Sequence, residues 1–289
     1  MTTNTPPQDF PSVIDLLKRK GIWLEKRKSQ HFLRDQKICV QIAELARLTP
    51  GHTAIEVGAG LGNLTVELAA RAGKVIAVEM DREFSDWHSY LEAKWPNLKF
   101  VAADFLRMDL TTLLSDSAGT KLCGIGNLPY QITSEVLFRF VDAPMTFDSL
   151  VFMIQKEVAE RIASGAGNRA AGALTYKIAL RYTASIELIV GPEFFVPPPK
   201  VTSAVIVLKP LTQPLYHDDA HRLRIYATLD KLFMFRRKTL LNGLRESALA
   251  PGRDEALRVL ASCSIDEKRR PETLSLQEVI SLTDALANV

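Results

Sequence analysis

The sequence predicts an α/β protein, with a doubly wound sheet of seven strands followed by a small all-α domain. Three observations carry this prediction. Short apolar segments alternate with helical segments over residues 53–154, an order typical of a parallel sheet with helices on both faces. Glycines are concentrated at one strand-to-helix junction, at residues 58–62. After Pro210 the apolar residues recur at helical spacing to the end of the chain.

The individual elements follow from local spacing. The first helix is expected to start after Asp35, because Ile38, Ile42 and Leu45 recur at helical spacing until Pro50. Further helices of the α/β region are predicted at residues 63–72, 82–95, 109–115, 155–164 and 170–182. The seven strands are predicted at residues 53–57, 74–79, 98–103, 122–126, 149–154, 185–190 and 203–208.

Three regions are expected along the chain. Residues 1–25 are predicted as an N-terminal tail and basic segment, residues 26–210 as the sheet domain and residues 211–289 as the helical domain. Only the segment 191–200, with no convincing helix, separates the last two strands, so we expect an antiparallel hairpin at one sheet edge. Ser275-Leu-Gln-Glu278 has the spacing of a capping box before the final helix.

Bulk properties argue against several classes of protein. No apolar run approaches the roughly 20 residues that span a bilayer, and the N-terminus lacks the pattern of a secretory signal, so a cytoplasmic location is expected. The three cysteines, Cys39, Cys123 and Cys263, are far apart and show no C-x-x-C spacing. We therefore expect packing roles for them, without disulfides and without a metal site.

Positive charge is unevenly distributed, although the whole chain carries only +3. Two basic clusters allow either phosphate contacts or ordinary solvated faces, and charge alone leaves both interpretations open. The first gives residues 1–34 a local net charge of +4, and its cations are Lys18, Arg19, Lys20, Lys26, Arg27, Lys28 and Arg34. The second is interleaved with Phe233 and Phe235, and comprises Lys231, Arg236, Arg237 and Lys238.

The glycine-rich segment predicts a nucleoside-binding turn. Gly58, Gly60 and Gly62 alternate between a predicted strand and a predicted helix, where glycine lets the backbone turn sharply and approach a ligand. The dinucleotide fingerprint is G-x-G-x-x-G, and here the third glycine comes one residue early. This spacing favours an amino-acid-bearing nucleoside over a pyrophosphate.

Two acids strengthen this interpretation because each ends a predicted strand. Glu79 ends the second strand, where a carboxylate can accept hydrogen bonds from ribose hydroxyls, and Asp104 follows the third, where it can meet an adenine amine. The carboxyl ends of parallel strands line one crevice, so the acids and glycines are expected to converge there.

The fourth strand runs into Gly126-Asn127-Leu128-Pro129-Tyr130. The exocyclic amine of adenine is a poor nucleophile because its lone pair is delocalised, and an Asn carbonyl with a nearby backbone carbonyl can localise it by accepting its hydrogens. Pro129 stiffens the backbone, and Tyr130 offers a face on which a flipped-out base can stack. Taken alone this segment is more often a β-turn; after the glycines and acids it indicates methyl transfer from a sulfonium donor.

Several motifs together resemble the KsgA family of small-subunit ribosomal RNA adenine dimethyltransferases. The resemblance runs from about Lys26 to the C-terminal helices. Its motifs are Ser29-Gln-His-Phe-Leu33, Glu56-Val-Gly-Ala-Gly-Leu-Gly-Asn-Leu-Thr65, Val78-Glu-Met-Asp81, Asp104, Gly126-Asn-Leu-Pro-Tyr130, Met153-Ile-Gln-Lys-Glu-Val-Ala-Glu-Arg161, Phe195-Val-Pro-Pro-Pro-Lys-Val-Thr-Ser-Ala-Val205 and Phe235-Arg-Arg-Lys-Thr-Leu240.

The resemblance implies a Rossmann-like fold dependent on S-adenosylmethionine, a C-terminal domain that engages small-subunit ribosomal RNA in immature subunits, and dimethylation of two adjacent adenines in a hairpin. We expect a monomer. The target base would lie between Tyr130 and Phe195, in a catalytic set of Asn127, Leu128, Pro129, Tyr130 and Phe195. Cofactor contacts are implied, or indicated by the glycine motif, at His31, Leu33, Gly58, Gly60, Gly62, Glu79, Asp104 and Asn127.

Three segments depart from the family pattern. His31 stands where asparagine is usual, Gln131 where asparagine usually follows the tyrosine, and residues 171–177 replace a more usual Tyr-Gly segment. The alternatives are an Erm-type methyltransferase of large-subunit RNA and a non-catalytic RNA-binding assembly factor; an NAD-dependent oxidoreductase is disfavoured by the glycine spacing. Leu128, the N-terminal basic run and the Phe235–Leu240 segment favour the small-subunit interpretation.

Overall fold

A computed structural model of the chain describes residues 14–16 and 31–287. Contacts divide these residues into two units. The first holds the described residues up to Ala159 together with Ser185–Pro210, and the second holds Glu160–Ala184 together with the residues from Leu211 onward. None of the helices in the described ranges combines the length and the apolar character that a membrane span requires.

The first unit is built on a seven-stranded sheet, which confirms the predicted α/β fold and its strand count. The strands are β2 His52–Val57, β3 Lys74–Glu79, β4 Leu98–Ala102, β5 Lys121–Asn127, β6 Ser149–Gln155, β7 Tyr182–Val190 and β9 Ser203–Pro210. The strand order is β4-β3-β2-β5-β6-β9-β7. Pairing is parallel from β4 to β6 and antiparallel between β6 and β9.

Burial follows the position of each strand in the sheet. Every residue of β2 is buried, as is all of β6 except its last residue, because central parallel strands are covered on both faces. By contrast, β7 lies at the sheet edge, and between its buried end residues it alternates between exposed and half-buried positions. The predicted neighbours β7 and β9 lie side by side at this edge.

Four helices of the first unit begin close to their predicted positions, whereas the helix that follows the Asn127 segment, Thr133–Asp142, was not predicted from the sequence. The helices of this unit are α1 Gln36–Leu45, α2 Asn63–Ala69, α3 Ser85–Lys94, α4 Leu110–Leu113 and α5 Thr133–Asp142. Asp35 is the predicted N-cap of α1, and its side chain accepts a hydrogen bond from the Lys37 N–H. Buried residues of α1, α2, β2, β3 and β5 share one hydrophobic cluster, which supports the carboxyl ends of the strands.

A second, two-stranded sheet had no counterpart among the sequence predictions. Strand β1, Phe32–Leu33, pairs antiparallel with β8, Phe195–Val196. Each strand has only two residues, too few to show the alternation that identifies a strand in a sequence. This pairing brings the predicted His31 segment next to the Pro197-Pro198-Pro199 run.

The second unit is helical and has its own polar interior. Tyr176 is fully buried, and its hydroxyl group donates to the Leu274 carbonyl at 2.5 Å while accepting from the Gly167 N–H at 3.1 Å. Lys177 pairs with Asp230 at 3.0 Å. The helices are α6 Lys156–Ala163, which crosses the boundary of the unit, α7 Ala173–Ala179, α8 Asp219–Met234, α9 Leu240–Glu246, α10 Arg253–Ser262 and α11 Leu276–Leu286.

These contacts place residues 160–184 with the C-terminal helices, whereas the sequence-based boundary assigned them to the sheet domain. The predicted boundary at 210 does coincide with the end of the first unit. The capping box of the last helix is present, since Ser275 Oγ accepts from the Glu278 N–H at 3.1 Å and the Glu278 carboxylate accepts from the Ser275 N–H.

The structure describes the second predicted basic cluster but little of the first. Apart from residues 14–16, the predicted N-terminal tail and basic segment lies outside the described residues, as does every cation of the first cluster except Arg34. In the second cluster, Lys238 pairs with Glu246 at 2.7 Å and Arg236 donates to the Arg169 carbonyl. The remaining two cations, Lys231 and Arg237, are exposed.

Candidate active site

A cleft lies at the carboxyl ends of the parallel strands. Its volume is about 430 Å³, within the range of sites for small molecules. Residues from β2, β3 and β5 and from the segments that follow them line it, because parallel strands bring their carboxyl ends to the same edge. The predicted lining residues present are His31, Leu33, Gly58, Gly60, Glu79, Asp104, Asn127, Leu128, Pro129 and Tyr130.

The glycine turn depends on left-handed backbone. Gly58, Gly60 and Gly62 have φ values of 77°, 54° and 83°, which side chains other than glycine adopt only at a cost. The first two line the cleft. Gly62, also predicted as a cofactor contact, is not among the residues that line the cleft; it caps α2, where a Cβ would lie 2.7 Å from Leu91 Cδ1.

Glu79 is anchored by the backbone around it. Its Oε2 accepts from the Gly60 N–H at 2.8 Å, and its Oε1 accepts from the Asp81 N–H at 2.8 Å. Burial raises the pKa of this carboxyl, and the two backbone hydrogen bonds oppose that rise. Each oxygen keeps a further lone pair, so the group can still accept from a ligand.

Two aromatic side chains of α3 support the glycine turn, and the sequence analysis did not identify them. The buried His88 ring stacks on Phe100 with a centroid distance of 3.9 Å, and its Nε2 lies 2.8 Å from the Gly60 carbonyl. A carbonyl only accepts, so this Nε2 carries the hydrogen. Trp87 Nε1 donates to the Leu61 carbonyl at 2.8 Å. The two side chains thus hold consecutive carbonyl groups of the glycine turn.

Asp104 begins a short turn of 3₁₀ helix, Phe105–Arg107. Its Oδ1 accepts from the Leu106 N–H at 3.0 Å, and its side chain is 35% exposed. The turn is held by Arg139 of α5, whose guanidinium donates to the Leu106 and Met108 carbonyls and lies over the Phe105 ring. Arg139 therefore ties the predicted adenine contact to the helix that follows the Asn127 segment.

The Asn127 amide has a defined orientation. Its Nδ2 donates to the His31 carbonyl at 2.9 Å, so its Oδ1 is left as the acceptor of the side chain. Leu128 is buried, and its N–H donates to the Met153 carbonyl at 3.1 Å. The Pro129 carbonyl accepts from the Ile132 N–H, and this hydrogen bond closes the turn of the segment.

Tyr130 and His31 form an aromatic pair at the cleft. Their ring centroids lie 5.7 Å apart with an interplanar angle of 30°. The Tyr130 hydroxyl group is 2.7 Å from Ser203 Oγ, and burial raises the pKa of this tyrosine. His31 Nδ1 lies 2.7 Å from the Pro197 carbonyl, which only accepts, so Nδ1 carries the hydrogen.

Phe195 does not supply the second face of the predicted base pocket in this structure. It is 2% exposed, belongs to the hydrophobic core and pairs with Leu33 in the small sheet. It is absent from the cleft lining, where His31 instead faces Tyr130. The strand pairing draws the Phe195 side chain into the core, and the sequence contained no sign of that pairing.

Two further cleft residues escaped the sequence analysis as individual contacts. Glu56, the penultimate residue of β2, is 2% exposed, and burial raises the pKa of its carboxyl to about 8. Met80 directly follows Glu79, lines the cleft and is 68% exposed. An exposed methionine beside Glu79, the acid predicted to meet the ribose, offers an apolar, polarisable surface for a base.

A group of potential metal ligands lies at the opposite end of the strands. It comprises His52, Cys123 and Asp148, whose ligand atoms lie within 4.8 Å of one another. His52 Nδ1 accepts from the Thr49 N–H at 3.1 Å, so Nε2 carries the hydrogen and faces Asp148 Oδ2 at 3.4 Å. Burial raises the pKa of the Cys123 thiol. The three residues therefore form a hydrogen-bonded cluster, in which neither ring nitrogen of His52 offers a free lone pair to a metal ion.

Comparisons with known proteins agree with this geometry. Residues 24–282 match the family model described as ribosomal RNA adenine dimethylase. The chain is 39% identical over 269 residues to ribosomal RNA small subunit methyltransferase A of Geobacter sulfurreducens, covering 92% of this chain and 96% of the relative.

Two solved structures are also similar to the chain. A dimethyladenosine transferase from Plasmodium falciparum has a TM-score of 0.71 at 25% identity, and the match covers 87% of this chain and 96% of that one. The 23S rRNA methyltransferase ErmE has a TM-score of 0.67 at 26% identity, with 89% and 99% covered. The chain belongs to the ribosomal RNA adenine dimethylase family.

Proposed function

We propose that the protein transfers methyl groups from S-adenosylmethionine to the exocyclic amines of two adjacent adenines in a small-subunit ribosomal RNA hairpin, dimethylating each and contributing to ribosome biogenesis. The observation that carries this proposal is the Asn127 amide, held by the His31 carbonyl so that its oxygen serves as acceptor beside the cofactor cleft. An acceptor in that place matches the need to localise the amine lone pair.

The cleft residues fit the cofactor. Gly58 and Gly60 let the backbone approach it closely, and Glu79 retains lone pairs for the ribose hydroxyls. Asp104 would accept from the adenine amine, with Met80 and Phe105 as apolar neighbours. His31 and Leu33 would cover the same ligand from the small sheet. When bound, the cofactor supplies an electrophilic methyl group on a positively charged sulfur.

The target amine would be positioned by the Asn127 segment. Asn127 Oδ1 and the Leu128 carbonyl are suitable acceptors for its two hydrogens, while the turn closed at Pro129 limits backbone movement. Tyr130 provides the stacking face, with its hydroxyl group anchored to Ser203. Positioning carries most of the catalysis, because the amine loses its proton readily once the methyl group has arrived.

The small-subunit substrate is favoured over an Erm-type large-subunit substrate by sequence identity. The relative named for the small subunit is 39% identical, whereas ErmE is 26% identical. Incubating the protein and labelled cofactor separately with purified small and large subunits tests this choice. We expect labelled dimethyladenosine in small-subunit RNA by nucleoside mass spectrometry, and exclusive transfer to large-subunit RNA would refute the proposal.

The non-catalytic alternative is disfavoured by an intact site. A binding-only assembly factor has no need for the Glu79 carboxylate anchored at both oxygens or for an oriented Asn127 amide. We further propose that the second unit engages RNA through Lys231 and Arg237, which are exposed on it. The use of immature subunits, a monomeric state and a cytoplasmic location stay predictions that accompany this function.

A further inference from the structure

Gly60 is held through both of its peptide units. Its φ of 54° lies in the left-handed region, and a glycine has no side chain to select one conformation among those open to it. The Gly60 N–H donates to Glu79 Oε2 at 2.8 Å, and the Gly60 carbonyl accepts from His88 Nε2 at 2.8 Å. The N–H belongs to the peptide unit before the glycine and the carbonyl to the unit after it. Two side chains on different elements therefore fix the conformation of one flexible residue.

The His88 ring is in turn fixed by its packing. His88 belongs to α3 and is 6% exposed. Its ring lies parallel to that of Phe100 in β4, with a centroid distance of 3.9 Å and an interplanar angle of 2°, and the Phe84 ring lies 6.0 Å away. A buried ring stacked in this way cannot turn without losing these contacts. Its Nε2–H therefore keeps a constant direction toward the Gly60 carbonyl.

The same chain of hydrogen bonds reaches the acid proposed to meet the cofactor ribose. Glu79 Oε2 accepts from Gly60, and Glu79 Oε1 accepts from the Asp81 N–H at 2.8 Å. Without a donor at its carbonyl, Gly60 would be free to rotate about its own backbone bonds and to turn its N–H away from Oε2. A binding group keeps its productive geometry only when such supporting hydrogen bonds hold it. His88 therefore stands two hydrogen bonds away from the Glu79 carboxylate.

We propose that His88 is a positioning residue for the cofactor: it holds the Gly60 carbonyl so that the Gly60 N–H and the Glu79 carboxylate keep one arrangement toward the ribose. This inference rests on the proposed cofactor site. His88 is not among the residues that line the cleft, so the interactions it supports are the same before and during methyl transfer. Interactions of that kind change KM and leave kcat unchanged.

Replacing His88 by phenylalanine tests this role. The variant keeps an aromatic ring against Phe100 and removes the donor to Gly60. KM for S-adenosylmethionine and Kd for S-adenosylhomocysteine should rise by the same factor, about five- to tenfold, which is the range that one neutral hydrogen bond supplies. The value of kcat should stay within about twofold of the wild type. His88→Gln should restore most of the affinity, because its amide nitrogen can donate from a position close to that of Nε2.

Asn97→Ala is the matched control for a purely structural effect. Asn97 Nδ2 donates to the Ala69 and Ala72 carbonyls at 2.8 and 2.9 Å, at the end of α2 that lies away from the glycine turn. The substitution removes side-chain bonds to backbone carbonyls in the same unit and leaves the turn unchanged. Urea unfolding should show a loss of unfolding free energy, while KM for the cofactor stays within about twofold of the wild type. The same behaviour in His88→Phe would refute the positioning role.

A double-mutant cycle with Glu79→Gln tests the route by which His88 acts. Glu79→Gln by itself should weaken binding of S-adenosylhomocysteine, measured by calorimetry. Adding His88→Phe to Glu79→Gln should change Kd by less than about twofold, because the carboxylate that His88 helps to hold is already gone. Two losses of affinity that multiply in the double variant would show independent effects and would refute the route through Glu79.

The inference fails if folded His88→Phe binds S-adenosylhomocysteine as tightly as the wild type, or if its kcat falls while KM is unchanged. Where His88→Phe does not fold, His88→Asn takes its place, because its shorter amide does not reach the Gly60 carbonyl and the same changes are expected. These failures leave the proposed function intact, since methylation of RNA would still be observed. Failure of the folded wild type to bind either ligand would instead refute the proposed function together with the inference.

Discussion

Replacing Asn127 by alanine separates positioning of the reacting amine from assembly of the site. The substitution removes the Oδ1 acceptor together with the Nδ2–H that donates to the His31 carbonyl at 2.9 Å. The backbone of this segment keeps its other anchors, including the Leu128 N–H bond to Met153 at 3.1 Å. RNA binding should therefore be retained, because no basic side chain of the protein is changed.

The expected loss of turnover follows from the number of interactions removed. Deleting one preorganised hydrogen-bonding group at a reacting centre lowers kcat by about 10²–10³, or roughly 3–4 kcal/mol. The lost bond to His31 adds a stability cost of about 1 kcal/mol, which is small against the roughly 5–15 kcal/mol that stabilises a typical domain. The variant should be folded and nearly inactive.

Single-turnover methylation of small-subunit RNA measures this effect, with RNA binding measured in parallel by filter retention. Gln131→Ala is the matched control, because Gln131 lies four residues further on, at the rim of the same cleft, and is exposed. We expect its turnover to stay within about twofold of the wild type, as is usual for exposed positions. Methylation by Asn127→Ala at the wild-type rate would refute the role assigned to the amide.

Four further outcomes test other parts of the structure. Gly62→Ala places a methyl group 2.7 Å from a leucine carbon at φ 83°, whereas Gly119→Ala meets open space at φ 79°. Urea unfolding should show a greater loss of unfolding free energy for Gly62→Ala than for Gly119→Ala. Equal losses of unfolding free energy would contradict the steric argument. Arg139→Lys loses the paired contacts to two carbonyls, so KM for the cofactor should rise several-fold with kcat within twofold; a fall in kcat alone would argue against a positioning role. Tyr176→Phe removes the hydroxyl group that donates to the buried Leu274 carbonyl, so the second unit should lose about 1–3 kcal/mol of stability. Hydrogen exchange of backbone amides in the second unit measures this loss, and unchanged exchange rates would contradict the prediction. The Glu56 pKa is raised to about 8 from 4.5, so the native state binds more protons between these values and its stability should fall as pH rises through this window; in Glu56→Gln the curve should be flatter, and identical curves would contradict the assignment.

The seven sheet strands and the positions of the cleft residues were predictable because their signals are local. Buried parallel strands appear in the sequence as short apolar runs. The three alternating glycines indicate a turn with left-handed backbone, a conformation that glycine adopts readily. Strand ends in a parallel sheet converge, so Glu79 and Asn127 could be placed in one cleft before any distance was known. The family resemblance supplied the identity of the cofactor and of the reaction.

Tertiary contacts decided the rest, because those contacts join residues whose own spacing shows no pattern. By sequence Phe195 is an aromatic residue in a proline-rich segment, yet the two-residue pairing of β8 with β1 accompanies its burial in the core. Residues 160–184 look continuous with the sheet domain, yet the Tyr176 hydroxyl group joins them to the C-terminal helices. The charge state of Glu56 likewise depends on burial and on the absence of a cation among its described neighbours, and neither property can be read from its position in the chain.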